Sequence, residues 1–272
     1  MLYADQAGAP AHGDSSIARG RTRALFAIDD YELSEFLPVA AQFGTKKYGY
    51  VLTPNIDGFI RLQESATCRA AYAQAAYVLL DSRVAGFLFR LVHRLRVPVC
   101  PGSDLTAGLL NQVIKPDDRV ILIGSTEGQA QNLRDRFGLQ HLLHYNPPMG
   151  FIRDPAAVET CLQFIESASP FHYCLIAVGD PQGFMVAQRL AERERARGLA
   201  FIIGASIDFI TGHQQRAPAW MQRIGLEWLY RLSRNPRRLA WRYLVRGPKF
   251  FVYLFMSRVV LRPAHSQAVS EA

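Results

Sequence analysis

What this sequence lacks sets its first limits. No stretch approaches the roughly 18–20 consecutive apolar residues needed to cross a bilayer, and the longest candidate, Phe250 to Met256, is stopped by Ser257 and Arg258. The first twenty residues (MLYADQAGAPAHGDSSIARG) lack the apolar centre of a secretory signal and any periodicity, so a disordered tail is expected over 1–20. Cysteine is scarce: Cys68, Cys100, Cys161 and Cys174 form no C-x-x-C pair and sit inside apolar runs. That pattern fits buried thiols in a reducing compartment rather than a disulfide scaffold, and a cytoplasmic location is expected. Acidic residues almost vanish near one end. From Thr211 to Arg262 there are eleven Lys/Arg and one acid, Glu227, so the formal charge of +8 is local. An anionic partner is expected to meet the protein there.

What is present is apolar sequence in short runs. With 272 residues, 49% of them hydrophobic, the chain can bury a large core. The runs ALFAI, YGYVLT, AYVLLD, RVILIG, HYCLIAVG and LAFIIGA read as strands and alternate with amphipathic stretches such as Glu127–Phe137 and Gln182–Arg197. The alternation predicts an α/β fold, a Rossmann-like parallel-sheet core over 21–212. Beyond Gly212, Trp, Tyr, Leu and Arg interleave at helical spacing with no further strand signal. The expectation is a C-terminal all-helical appendage over 213–262, basic and aromatic, and then a tail over 263–272.

In open parallel sheets ligands bind beyond the carboxyl ends of the strands, so polar residues that follow apolar runs are candidates. They are Thr53 and Asn55 after YGYVL; Asp81 after AYVLL; Gly102, Ser103 and Asp104 after RVPVCP; Gly124 after RVILI; Gly179, Asp180 and Gln182 after LIAV; and Gly204, Ser206 and Asp208 after LAFII. Each has a plainer reading as a helix cap or a tight turn. His141 and His144, beside Tyr145 in an apolar segment, read as structural.

Taken together, TPN, LLD, GSDL, the G-D-P turn and the string RAP-x-W-M-x-R-x-GLEWLYRL-x-x-x-PRRL-x-x-RYL resemble the WecG/TagA/CpsF family of glycosyltransferases over roughly 23–250. The resemblance implies a Rossmann-like fold and inverting transfer from a UDP-sugar to a polyprenyl-diphosphate-linked sugar. It implies Asp81 as catalytic base, with Thr53 and Asn55 in the active site. A carboxylate there suits a single displacement, which needs a group to take the acceptor hydroxyl's proton. No D-x-D motif is present, so no metal cofactor is expected. Guanidinium groups would neutralise the departing diphosphate instead. Arg231, Arg238 and Arg242 lie at near-helical offsets, and Arg231 and Arg238 are the two expected to reach it. The appendage's cations and aromatics also suit an anionic membrane surface, which places the protein on the inner face of the membrane.

Three departures from the family pattern bear on the donor. Val99 stands where N-acetylmannosaminyltransferase members carry an active-site arginine. Gly183 and Phe184 replace a glutamine and a glutamate after the G-D-P turn, and Ser82-Arg83-Val84-Ala85-Gly86 replaces the glycine-rich stretch after the catalytic aspartate. Arg83 is a candidate substitute for the lost arginine. These changes suit the exopolysaccharide branch and a UDP-hexose donor. The rival readings are a membrane-docked, non-catalytic scaffold and a nucleic-acid binder. The second gives no reason for acidic residues at several strand ends, and no nucleic-acid partner is expected. Homo-oligomer formation is left open.

Overall fold

The computed structural model describes residues 25–264, apart from the side chain of Arg238. The expected tail over 1–20 and most of that over 263–272 fall outside the described residues.

Six strands build one fully parallel sheet: β2 (Tyr48–Leu52), β3 (Tyr77–Val78), β4 (Arg119–Ile123), β5 (His141–Tyr145), β6 (Tyr173–Ile176) and β7 (Gly198–Ile202), in the order β3-β2-β7-β6-β4-β5. Their near-continuous apolar runs suit burial on both faces. Along β4, Val120 and Leu122 join the core on one side, while Ile121 and Ile123 join the core on the other. The first side is covered by α1 (Leu33–Gln42), α5 (Gly102–Gly108), α6 (Glu127–Phe137) and α9 (Ser206–Ile210). The second is covered by α2 (Ile56–Glu64), α3 (Ala66–Gln74), α4 (Arg83–His93), α7 (Pro155–Ser167) and α8 (Gln182–Arg193). This is the expected α/β layout. The four cysteines are free and buried in it.

Local chemistry starts the helices where the strands end. Asn55 accepts from the Asp57 and Gly58 amides at the head of α2, Ser82 caps α4, and Thr126 with Gln129 forms a capping box on α6. Gly138, left-handed at φ +66°, closes α6. His144, as expected, is structural. Its ring nitrogens meet the Glu127 carboxylate and the Gly124 carbonyl oxygen.

The basic segment forms α10 (Ala219–Arg223), α11 (Glu227–Arg234), α12 (Pro236–Ala240), which widens into a π-helical stretch Trp241–Arg246, and α13 (Lys249–Met256). It then forms a strand that the sequence pattern did not announce. This strand, β8 (Arg258–Arg262), pairs in parallel with β1 (Leu25–Asp29) as a separate two-stranded sheet. ALFAI is thus a strand but not part of the main sheet. The small sheet is tied to β3 by the buried Asp29 carboxylate, which accepts from the Val78 amide and from Arg262, each at 2.6 Å.

Phe250 and Leu254 of α13 are fully buried, with the Phe250 ring against those of Phe59 and Phe89. The C-terminal segment therefore completes one face of the core. Leu254→Ala, far from any candidate catalytic group, is expected to cost about 2–5 kcal/mol, read as a lowered denaturant midpoint with an unchanged slope. An unaltered midpoint would contradict this packing.

Candidate active site

Where β2 and β3 end, a cavity of about 350 Å³ opens between the sheet edge and the C-terminal helices. Asn55, Asp81, Ser103 and Arg231, all singled out in the sequence, line it together with Asp57, Arg83, Glu227 and Arg242. One wall is apolar, built from Ile60, Val84, Leu88, Phe250 and Phe251.

Asp81 is fixed from two directions. Its amide donates to the Pro54 carbonyl at 3.2 Å, and its Oδ1 accepts the Gly102 amide at 2.6 Å. Burial pushes its carboxyl above the ordinary aspartate range, while the Gly102 hydrogen bond and the charges of Arg231 and Arg242 pull it back. The result is a carboxylate with one oxygen held and the other available to a ligand. Thr53 donates to the Ile202 carbonyl at 3.4 Å and lies against Gly102, where an added Cβ would sit 3.1 Å from its Oγ1. Thr53, Asp81 and Gly102 thus form one corner.

Asn55 combines the plain and the functional readings. Its Oδ1 caps α2 and also accepts from Arg242 at 3.2 Å. Arg242 comes from the π-helical stretch, whose wider turn carries it to the sheet edge. Its Nε is buried with no hydrogen-bond partner among the described residues. Beside it lies Asp57, 8% exposed, with Arg61 at 3.0 Å, Arg246 at 3.3 Å and Arg242 at 3.6 Å. Asp57 is the site residue that sequence reasoning missed, although it stands two positions beyond Asn55.

Arg231 lies over the Phe209 ring at 4.9 Å and pairs with Glu227. Asp104 sits at the rim, held by Arg216 and, at 3.6 Å, by Arg83. The Arg238 side chain lies outside the described residues. Val99 bridges to Leu80 beside β3 and packs on Gly86. Arg83 supplies a guanidinium to the same cavity. At Gly183 an added Cβ would lie 2.8 Å from Ile202, so a glutamine there does not fit without movement.

The other candidates stand further along the sheet edge and do not line this cavity. Gly124, at φ +86°, packs on the Ala177 backbone. Gly179 and Gln182 belong to the turn that starts α8, and Gly204 takes a left-handed turn after β7. Asp208 is held by Gln129 at 2.8 Å and Gln214 at 3.1 Å.

Asp180 does sense the cavity. Burial pushes its carboxyl up to about 6; Arg242 and Arg61 pull it down, and Asp57 and Asp81 push it further up. Its folded value lies above the ordinary 3.8, so between these values the folded protein holds a proton that the unfolded chain has lost. The contribution of Asp180 to stability must then fall as pH rises from about 4 to about 6, and level off above. Asp180→Asn is expected to remove that decline, worth on the order of 2–3 kcal/mol. Denaturation at a series of pH values checks this, and parallel curves for the two proteins would contradict it.

The fold agrees with the comparison to known families. The model of the glycosyl transferase WecG/TagA/CpsF family matches residues 24–264, which takes in the sheet, the cavity and the basic helices. The chain belongs to the WecG/TagA/CpsF family of glycosyl transferases.

Proposed function

We propose that the protein transfers a hexose, or an N-acetylhexosamine, from a UDP-sugar to a polyprenyl-diphosphate-linked sugar. The transfer inverts the anomeric carbon and serves exopolysaccharide or cell-wall polymer synthesis at the inner face of the cell membrane. The observation that carries this reading is the pairing, on one cavity, of the Asp81 carboxylate with the Arg231 and Arg242 guanidiniums. Asp81 takes the proton from the acceptor hydroxyl as that oxygen bonds to the anomeric carbon. The bond from that carbon to the diphosphate breaks on the opposite face, and UDP leaves with the electron pair. Guanidinium groups meet the charge that develops, in a partly dehydrated site where such contacts are strong. Arg242 is apt because its guanidinium lines the cavity and its charge reaches Asp81. Thr53 and Asn55 set the acceptor and Arg242, and Ser103 and Arg83 contact the sugar. In this reading no metal cofactor takes part.

Exposed side chains support the membrane location. Trp220, Trp241, Leu244, Phe251 and Phe255 are between 50% and 69% exposed, and Arg234, Arg237 and Arg258 of the same C-terminal segment are exposed as well. Each basic residue near an anionic leaflet contributes about 1 kcal/mol. No helix among the described residues is long and apolar enough to cross a membrane, so contact would be peripheral.

Asp81→Asn separates this reading from that of a non-catalytic scaffold. Sugar transfer, measured as UDP release with a polyprenyl-diphosphate-sugar acceptor, is expected to fall about 10²–10⁴-fold, with UDP affinity changed less than about threefold. In the wild type the acid limb of kcat/KM should lie above the ordinary aspartate range, because the desolvated carboxyl must ionise to act. An active Asn variant would overturn the assignment of the base.

A further inference from the structure

Helices α4 and α13 lie side by side, with the Phe89 ring 6.1 Å from that of Phe250 and His93 Nε2 3.1 Å from the Leu254 carbonyl oxygen. These contacts form the floor of a seam. Its two walls recur at helical spacing: Val84, Leu88 and Val92 along α4, and Phe251 and Phe255 along α13, each one turn from the last. Val84, Leu88 and Phe251 line the Asp81 cavity, while Val92 and Phe255 line a second, open cavity of about 890 Å³. The two cavities thus lie toward the two ends of α4, eleven residues long and about 16 Å at 1.5 Å per residue. Phe87 and Leu91, at 64% and 66% exposed, stand on the seam's outer lip. Arg90, Arg94 and Arg258 are exposed near the end remote from Asp81.

We infer that this seam holds the prenyl chain of the lipid-linked acceptor, an inference that rests on the transfer reaction proposed above. The seam begins at the carboxylate and its guanidiniums, where an acceptor's sugar diphosphate would lie; Val84, Leu88, Val92, Phe251 and Phe255 line it with apolar surface, and His93, Ser257 and Arg258 join them only at the far end. It ends among exposed aromatic, aliphatic and cationic side chains that match an anionic bilayer surface. A prenyl chain is long, linear apart from one methyl group per isoprene unit, and wholly apolar, so it gains by leaving water along such a path. Helix α4, which precedes the basic segment in sequence, is thus part of the lipid-binding surface. The occupant is one chain of one substrate rather than the bilayer at large.

The test uses the full chain and two readouts. A farnesyl diphosphate probe with a benzophenone on its terminal isoprene is photolysed with the wild-type protein, and the adduct is mapped by mass spectrometry. Adducts confined to α4 and α13 are expected. In parallel, Val92→Ser and Phe255→Ser are assayed with acceptors of citronellyl and heptaprenyl length. Each is expected to lower the ratio of kcat/KM for the long over the short acceptor by roughly tenfold, with the melting temperature kept. Adducts elsewhere and an unchanged ratio, with transfer intact, would overturn the seam and leave the transferase reading standing. Adducts in the seam with no transfer to either acceptor would support the prenyl site and overturn the reaction.

Discussion

Asp57 and the three guanidiniums around it hold the C-terminal segment against the sheet. A carboxylate that is 8% exposed loses most of its hydration, and it is tolerated only where cations replace the lost water. Arg61 comes from the same helix, but Arg242 and Arg246 come from the basic segment. The charge that appears in the sequence as a block of eleven cations is therefore largely spent inside the molecule. Arg216 engages Asp104, Arg231 engages Glu227, Arg246 and Lys249 engage Glu64, and Arg262 engages Asp29. Among the described residues, Arg223, Arg234, Arg237 and Arg258 show no ion pair. The free cations are fewer than the sequence suggests, and they belong to the same segment as the exposed aromatic residues.

This clamp sets the chemistry of the cavity. Arg242 is kept at the sheet edge by Asp57 and Asn55, and its charge in turn lowers the carboxyls of Asp81 and Asp180, which burial raises. Because Phe250 and Leu254 of the same segment are core residues, the cavity roof cannot be removed without exposing the core. The cavity's roof and part of the core are one piece of chain.

Much of the fold was legible because parallel strands buried on both faces are near-continuous apolar runs. Two strands escaped. In β5, His141 and His144 interrupt the apolar pattern, since this edge strand is partly exposed. In β8, five residues follow an apolar helix without a turn signal, and pairing with β1 at the far end of the chain supplies the strand. At the site, residues after β2 and β3 converge as expected, whereas Gly124 and Asp208 lie further along the edge. All of them look alike in sequence, and only the strand order β3-β2-β7-β6-β4-β5 separates them. Asp57 was hidden because an acidic residue in the first turn of a helix is what the helix itself favours.

The central claim is that a cation supplied by the C-terminal segment faces the departing diphosphate across from Asp81. Calorimetric titration of UDP into the wild type and into Arg242→Gln tests it most directly, since glutamine keeps a hydrogen-bonding amide and removes the charge. UDP binding at least about tenfold weaker is expected in the variant, with the same fold by circular dichroism. Equal affinity in the two proteins would contradict it.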